Sequence, residues 1–193
     1  MQTKYIIWGV IGLVLVYLLT GINTIPTLDE RVNASWAQVQ NQYQRRADLI
    51  PNLVETVKGY AAHERETLTA VIDARAKATS MQLTPQMLSD PKAVAQFEQN
   101  QGALTQALSR LMVVSERYPD LKANQNFLTL QSQLEGTENR ITVARQDYIL
   151  AVQTYNIQVR TFPGFLWAKI YGASPKATFT ANESAATPPA VKF

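Results

Sequence analysis

No cysteine occurs in this 193-residue chain, and histidine occurs once, at position 63. The first absence excludes disulfides, thiolate metal sites and cysteine nucleophiles, and it leaves the redox compartment open. The second leaves "HERET" (63–67) short of the zinc-protease pattern, because position 67 is threonine and a zinc site needs three or four protein ligands. Ser-His-Asp chemistry is equally poorly supplied, since Ser109 and Ser115 fall in helical sequence and not on a nucleophile elbow. Charge of one sign is also lacking. Eighteen basic residues against fifteen acidic ones give a net charge of +3, without the concentrated basic stripe of a nucleic-acid binder. Eight glycines and nine prolines are few for this length, and several stand near the ends of helical patterns. With abundant Ala, Gln and Leu, the composition predicts an all-α protein.

What is present begins with "KYIIWGVIGLVLVYLLTGINTI". No charge occurs between Lys4 and Asp29. A membrane-crossing helix needs about 20 predominantly apolar residues, and Tyr5 to about Ile25 meets that length. Tyr5 and Trp8 stand where aromatic rings favour the membrane interface. No Ala-x-Ala cleavage site follows, and there is no cysteine to carry a lipid. The expectation is a retained transmembrane anchor over residues 1–26. Lys4 with the terminal amine tilts the positive-inside balance towards an internal N-terminus and an external domain.

Three apolar stripes follow. The first, Val32, Trp36, Val39, Tyr43, Ala47, Ile50, Val54, Val57, Ala61, keeps helical spacing throughout. It holds phase across Pro51, so the helix is expected to continue with a kink there. It is expected to run on through Gly59 and Leu68, Val71 and Ile72 to about Ser80; the competing reading breaks it near Gly59. The second stripe is Val94, Phe97, Gln101, Leu104, Leu108, Leu111, Ser115, Tyr118. The third is heptad-spaced, as in a coiled coil: Phe127, Leu134, Ile141, Tyr148, Tyr155, Phe162. Turns at "TPQMLSDP" and "RYPDL" are short, and short turns make neighbouring helices antiparallel. Asp120 is a candidate N-cap for the third helix.

Aligning the stripes by their turns gives a register. It sets Gly59, Gly102 and Gly136 at one height, as a waist where backbones would approach closely. It also sets Arg45, Arg46 and Pro51 beside the Tyr118–Leu121 turn, with an arginine pairing with Asp120 or bonding the turn's carbonyls. A lipid role for these arginines is disfavoured, because a straight helix places them about 30 Å past the membrane exit. That is several Debye lengths of about 8 Å each. "FPGFLWAKIYG" (162–172) carries an aromatic cluster that includes Phe165 and Trp167, expected either to cap the bundle or to form an exposed interfacial segment. Residues 176–193 read as a disordered tail. Among the carboxylates, Glu55, Glu64, Glu66, Glu116, Glu135 and Glu138 fit charged helix faces, and no pair of Glu-x-x-His motifs supports a di-metal bundle. No cofactor is implied. Gln101, Ser115 and the polar stretch Glu135–Arg140 are candidates to face a neighbouring subunit.

"RRADLIPNLVETVKGYAAHE", "YPDLKANQNFLTLQSQLEGTENRI" and "YNIQVRTFPGFL" resemble the LemA family of bacterial membrane-anchored proteins, over about residues 1–175 with the tail outside. The resemblance implies an N-terminal membrane helix followed by an antiparallel four-helix bundle. It brings no catalytic residue, and it carries a suggestion of an external N-terminus, opposite to the charge balance. The combined expectation is an all-α chain with a transmembrane helix and then, over 27–175, a bundle of three long helices and a short C-terminal one. The expected function is a non-enzymatic, self-associating scaffold or adaptor, single-pass in the bacterial cytoplasmic membrane, with its C-terminal domain outside. The alternatives are an adaptor for another membrane protein such as an envelope protease, and a carboxylate-dependent hydrolase.

Overall fold

The computed structural model describes residues 2–179. Its helices are α1 (Gln2–Thr20), α2 (Thr24–Tyr60), α3 (Arg65–Ser80), α4 (Pro91–Ser115), α5 (Pro119–Lys122), α6 (Gln125–Arg160) and α7 (Gly164–Tyr171), with a 3₁₀ turn at Pro85–Ser89. No strand occurs among the described residues. The chain forms two compact units. One comprises the chain up to Leu49 with Thr129–Lys176; the other comprises Ile50–Leu128 with the chain from Ala177.

In the first unit, α2 and α6 run antiparallel. Arg46 meets Glu138, and Trp36 meets Tyr148 with ring centroids 5.2 Å apart, so positions rise along one helix as they fall along the other. The residues that the first and third stripes contribute here, from Val32 to Ala47 and from Leu134 to Tyr155, are all buried. The heptad pattern stops being core at its last member, since Phe162 is 67% exposed.

In the second unit, α3 and α4 are antiparallel: Glu64 meets Tyr118, and Gln101 donates to the Ala78 carbonyl. The start of α4 is set by Asp90, whose side chain accepts from the Lys92 N–H, and by Pro91 at the first helical position, where a missing N–H costs nothing. The cap of α6 is Asn124, accepting from the Phe127 N–H, and not Asp120, which sits exposed in the first turn of α5.

Several expectations are corrected. α2 passes through Pro51, whose ring lies on the exposed face, but it does not run on to Ser80. It ends at Tyr60, directly after Gly59, and a turn at 61–64 precedes α3. After α1, the described residues therefore form four long helices, α2, α3, α4 and α6, with the break near Gly59 that the competing reading placed there. The turn shifts the helical phase, so Leu68 and Val71 stay buried while Ile72 is 51% exposed.

The glycine waist is absent. A Cβ on Gly59 or Gly102 would meet nothing within 4 Å, and one on Gly136 would meet only the Arg140 guanidinium at 3.6 Å. The glycine that does matter for packing is Gly164, where a Cβ would fall 2.2 Å from the Gln158 carbonyl oxygen.

The uninterrupted span expected over Tyr5–Ile25 is also absent. A turn at 21–23 divides it, leaving the apolar run Tyr5–Thr20. At 1.5 Å per residue that run is about 24 Å long, against a hydrocarbon layer of about 30 Å. No helix among the described residues is long and apolar enough to cross a membrane.

Finally, the first residues of the expected tail are held in place. Lys176 and Phe179 are buried, and the Ala177 N–H donates to the Leu88 carbonyl at 2.8 Å. The rest of that segment lies outside the described residues.

These placements predict opposite outcomes for two alanine substitutions. Gly164→Ala should lower unfolding stability by about 1–3 kcal/mol, because a backbone carbonyl must move to admit the methyl. Gly102→Ala, in open space mid-helix, should raise it by roughly 0.5–1 kcal/mol. Chemical denaturation of the two variants checks both.

Candidate functional site: a buried arginine and an exposed apolar helix

A polar cluster lies between α2 and α6. Arg46 is 1% exposed, and its Nη1 stands 2.9 Å from Glu138 Oε1. Its guanidinium carbon lies 5.0 Å from the centroid of the Tyr43 ring, one helical turn earlier, a cation–π placement that offsets part of its lost hydration. Arg140 extends the row, with Nε donating to Gln42 Oε1 at 3.3 Å and Nη2 donating to Thr137 Oγ1 at 3.0 Å. Arg145 Nη1 donates to the Tyr43 hydroxyl at 3.2 Å. Arg46 is thus a fastener, as expected of one of the two arginines, but its partner is Glu138 and not Asp120. Arg45 is exposed. The turn at 117–124 is held instead by the end of α2 and the start of α3. Glu64 Oε1 accepts from the Tyr118 hydroxyl and pairs with Arg117, each at 3.1 Å, and Asn124 donates to the Tyr60 hydroxyl. The Glu64 carboxylate, then burial, holds the Tyr118 phenol above its ordinary range.

A second buried cation, Lys176, was not legible in the sequence. Its ammonium lies 2.8 Å from Asp29 Oδ1, 3.3 Å from Asn33 Oδ1 and 5.5 Å from the Tyr155 ring centroid. The Asn156 side chain brackets its backbone, accepting from its N–H and donating to its carbonyl, both at 2.8 Å. The cue available was slight: one lysine in an otherwise uncharged stretch.

The polar residues expected to face a neighbour find partners inside the chain. Gln101 bonds the Ala78 carbonyl, Ser115 that of Met112 and Thr137 that of Gln133, while Glu138 takes Arg46. Among the described residues no group of three or more His, Cys, Asp or Glu side chains could hold a metal ion. Tyr148 is fully buried, and burial pushes its phenol far above the ordinary range; Tyr155 is raised by burial and by the Asp29 charge. These clusters order the fold. They do not juxtapose a nucleophile with a base.

The exposed apolar surface is concentrated elsewhere. On α1, Tyr5, Ile6, Ile7, Trp8, Val10 and Leu13 all face outward, Tyr5 by 75% and Leu13 by 73%. On α7, Phe165, Ile170 and Tyr171 are exposed, and Trp167 is half-buried with its indole N–H enclosed and unpartnered among the described residues.

Among the described residues, then, the charge clusters serve packing between helices, and exposed apolar side chains gather on α1 and α7. The family model of the LemA family matches residues 35–193. The chain belongs to the LemA family. The match begins after α1 and runs through the tail that sequence reading had set outside the resemblance. The chain is also similar to magnetosome proteins MamQ 1 and MamQ 2 of Paramagnetospirillum magneticum, at 28% identity over 89% of this chain and 69% of each relative. It is 25% identical to protein LemA of Metamycoplasma hominis over 69% of this chain and 57% of that protein.

Two predictions come from these clusters. Glu138→Ala should be strongly destabilising, by up to about 3 kcal/mol, because it strips the main counter-charge from a buried guanidinium. The double variant Arg46→Met with Glu138→Ala should regain part of that loss, which a double-mutant cycle in urea reads directly. Tyr148 predicts the alkaline limit. Its neutral form is favoured in the fold, whereas an unfolded tyrosine ionises near pH 10. Its contribution is therefore complete below about pH 10 and is lost as pH rises towards the raised folded value. Unfolding free energy should fall less steeply above about pH 10 in Tyr148→Phe than in the unmodified chain.

Proposed function

We propose that this LemA-family chain is a non-enzymatic scaffold or adaptor, anchored in the bacterial cytoplasmic membrane by α1 and self-associating through its helical domain. The observation that carries the reading is the outward row on α1. Seven large apolar side chains from Tyr5 to Leu13 are exposed on one short helix, while the stripe residues of α2 and α6 are buried. An apolar surface of that kind marks a membrane or protein contact. The apolar run falls about 6 Å short of the hydrocarbon thickness, a mismatch that local thinning of the bilayer absorbs at fractions of a kcal/mol per Å. Lys4 on one side favours the helical domain on the external face. Self-association is the second element of the proposal. Exposed Val143, Leu150 and Ile157 on α6 offer apolar positions for it.

The test is extraction of membranes at alkaline pH. The full chain should stay in the pellet. Leu13→Arg, which adds a charge costing about 3 kcal/mol at a helix centre in lipid, should shift it towards the supernatant with helicity unchanged. A chain that is extracted without any substitution contradicts the anchor. In mild detergent the full chain should have the mass of a defined oligomer; a monomer removes self-association and turns the search to a different membrane protein.

A further inference from the structure

A second apolar surface stands at the same end of the first unit as α1. Extending the register that sets Arg46 against Glu138 and Trp36 against Tyr148 brings Arg160, the end of α6, level with Thr24, where α2 begins. The clamp of Lys176 on Asp29 holds the chain that leaves α7 at that same level. α7 therefore lies beside the junction of α1 and α2. It is seated by its smallest residues. Gly164 and Ala168, one turn apart, are buried, and Gly164 fits so closely on Gln158 that no side chain is admitted. This seating turns the larger residues outward: Ile170 is 69% exposed, Phe162 67%, and Phe165 and Tyr171 nearly half. Leu166, Trp167, Lys169 and Ile170 surround a shallow apolar depression. Aromatic rings mixed with aliphatic side chains on a short surface helix are the composition of a segment that lies in the headgroup boundary.

Charge points to the same occupant. Arg160 and Lys169 are exposed here, Asp29 is already neutralised by Lys176, and the exposed Glu30 is balanced by the adjacent Arg31. An excess of free cations flanking an apolar face matches an anionic lipid surface.

From these observations we infer that α7 is a second membrane contact, lying flat in the interfacial layer of an anionic bilayer beside the point where α1 enters. It rests on the reading of α1 as the inserted segment. With two contacts, the first unit cannot pivot freely about α1, and its α2–α6 pair leaves the membrane at a fixed tilt.

The native chain has no cysteine, so single-cysteine variants of the full chain report one position each. An environment-sensitive fluorophore is placed at Ile170→Cys on α7, Val10→Cys on α1 and Val113→Cys on α4. The protein is reconstituted in phosphatidylcholine vesicles containing phosphatidylglycerol, with and without lipids that carry a nitroxide, near the headgroup to read positions 170 and 113 and deep in the acyl chain to read position 10. The inference expects blue-shifted, lipid-quenched emission at position 170, weakening when phosphatidylglycerol is omitted, and water-like emission at 113. Position 170 behaving like 113 while position 10 is quenched overturns the α7 contact and leaves the anchor standing. A blue shift at 170 without lipid quenching means that protein covers the helix, and it also overturns the inference. Absence of lipid quenching at position 10 overturns the anchor itself.

Discussion

The antiparallel pairing of α2 with α6 fixes most of what the first unit does, and one ion pair fixes the pairing. Hydrophobic contact is non-directional, so two long apolar stripes could slide by a heptad and still bury much of their area. A buried guanidinium cannot slide. Moved away from Glu138, Arg46 would be a charge out of water with its main counter-ion lost, and that penalty is of the order of several kcal/mol. The Trp36–Tyr148 ring contact, three turns away, adds a shape constraint in the same register. Buried polar groups that select one arrangement among several are a known device in helix pairing, and here the device works over 92 residues of sequence separation.

The consequences of this register extend to the end of the unit. Once Arg46 and Glu138 are matched, α6 must end where α2 begins, and α7 must fall beside α1. Lys176 then closes the arrangement, because the chain after α7 returns to Asp29 and Asn33 at the start of α2. Two apolar surfaces are thereby placed together, one on a helix of bilayer-like composition and one on a short helix rich in aromatics. The proposed anchoring role and the proposed interfacial role of α7 are two uses of a single geometric outcome.

Much of the fold was legible because helical periodicity reports burial directly. Every member of the first stripe, from Val32 to Ala61, is buried, and the turns at 81–90 and 116–124 carry the prolines and capping residues that local chemistry requires. What was not legible depended on long-range matching. The arginine pair at 45–46 is visible in the sequence, but the partner of Arg46 depends on the register, and the register depends on α2 ending at Tyr60. The break after Gly59 was hidden because Leu68 and Val71 happen to continue the spacing, and only Ile72 gives the phase shift away. The glycines misled for a related reason. A glycine signals close approach only if a neighbour is there, and at Gly59 and Gly102 the space is open, whereas at Gly164 no side chain is tolerated. Lys176 stood in a stretch whose composition suggested disorder; its burial comes from Asp29, Asn33 and Asn156, residues with no local relation to it.

The register of α2 against α6 is the claim on which the rest stands, and a spin-label distance tests it most directly. Labels at Gln42→Cys and Arg140→Cys, positions whose native side chains touch, should show strong dipolar coupling in the full chain, and labels at Gln42→Cys and Asp147→Cys should couple more weakly. A register slipped by one heptad towards the C-terminal end of α6 moves the matching positions by about 10 Å and would reverse that order. The reversed order would contradict the account, because α7 would no longer stand beside α1.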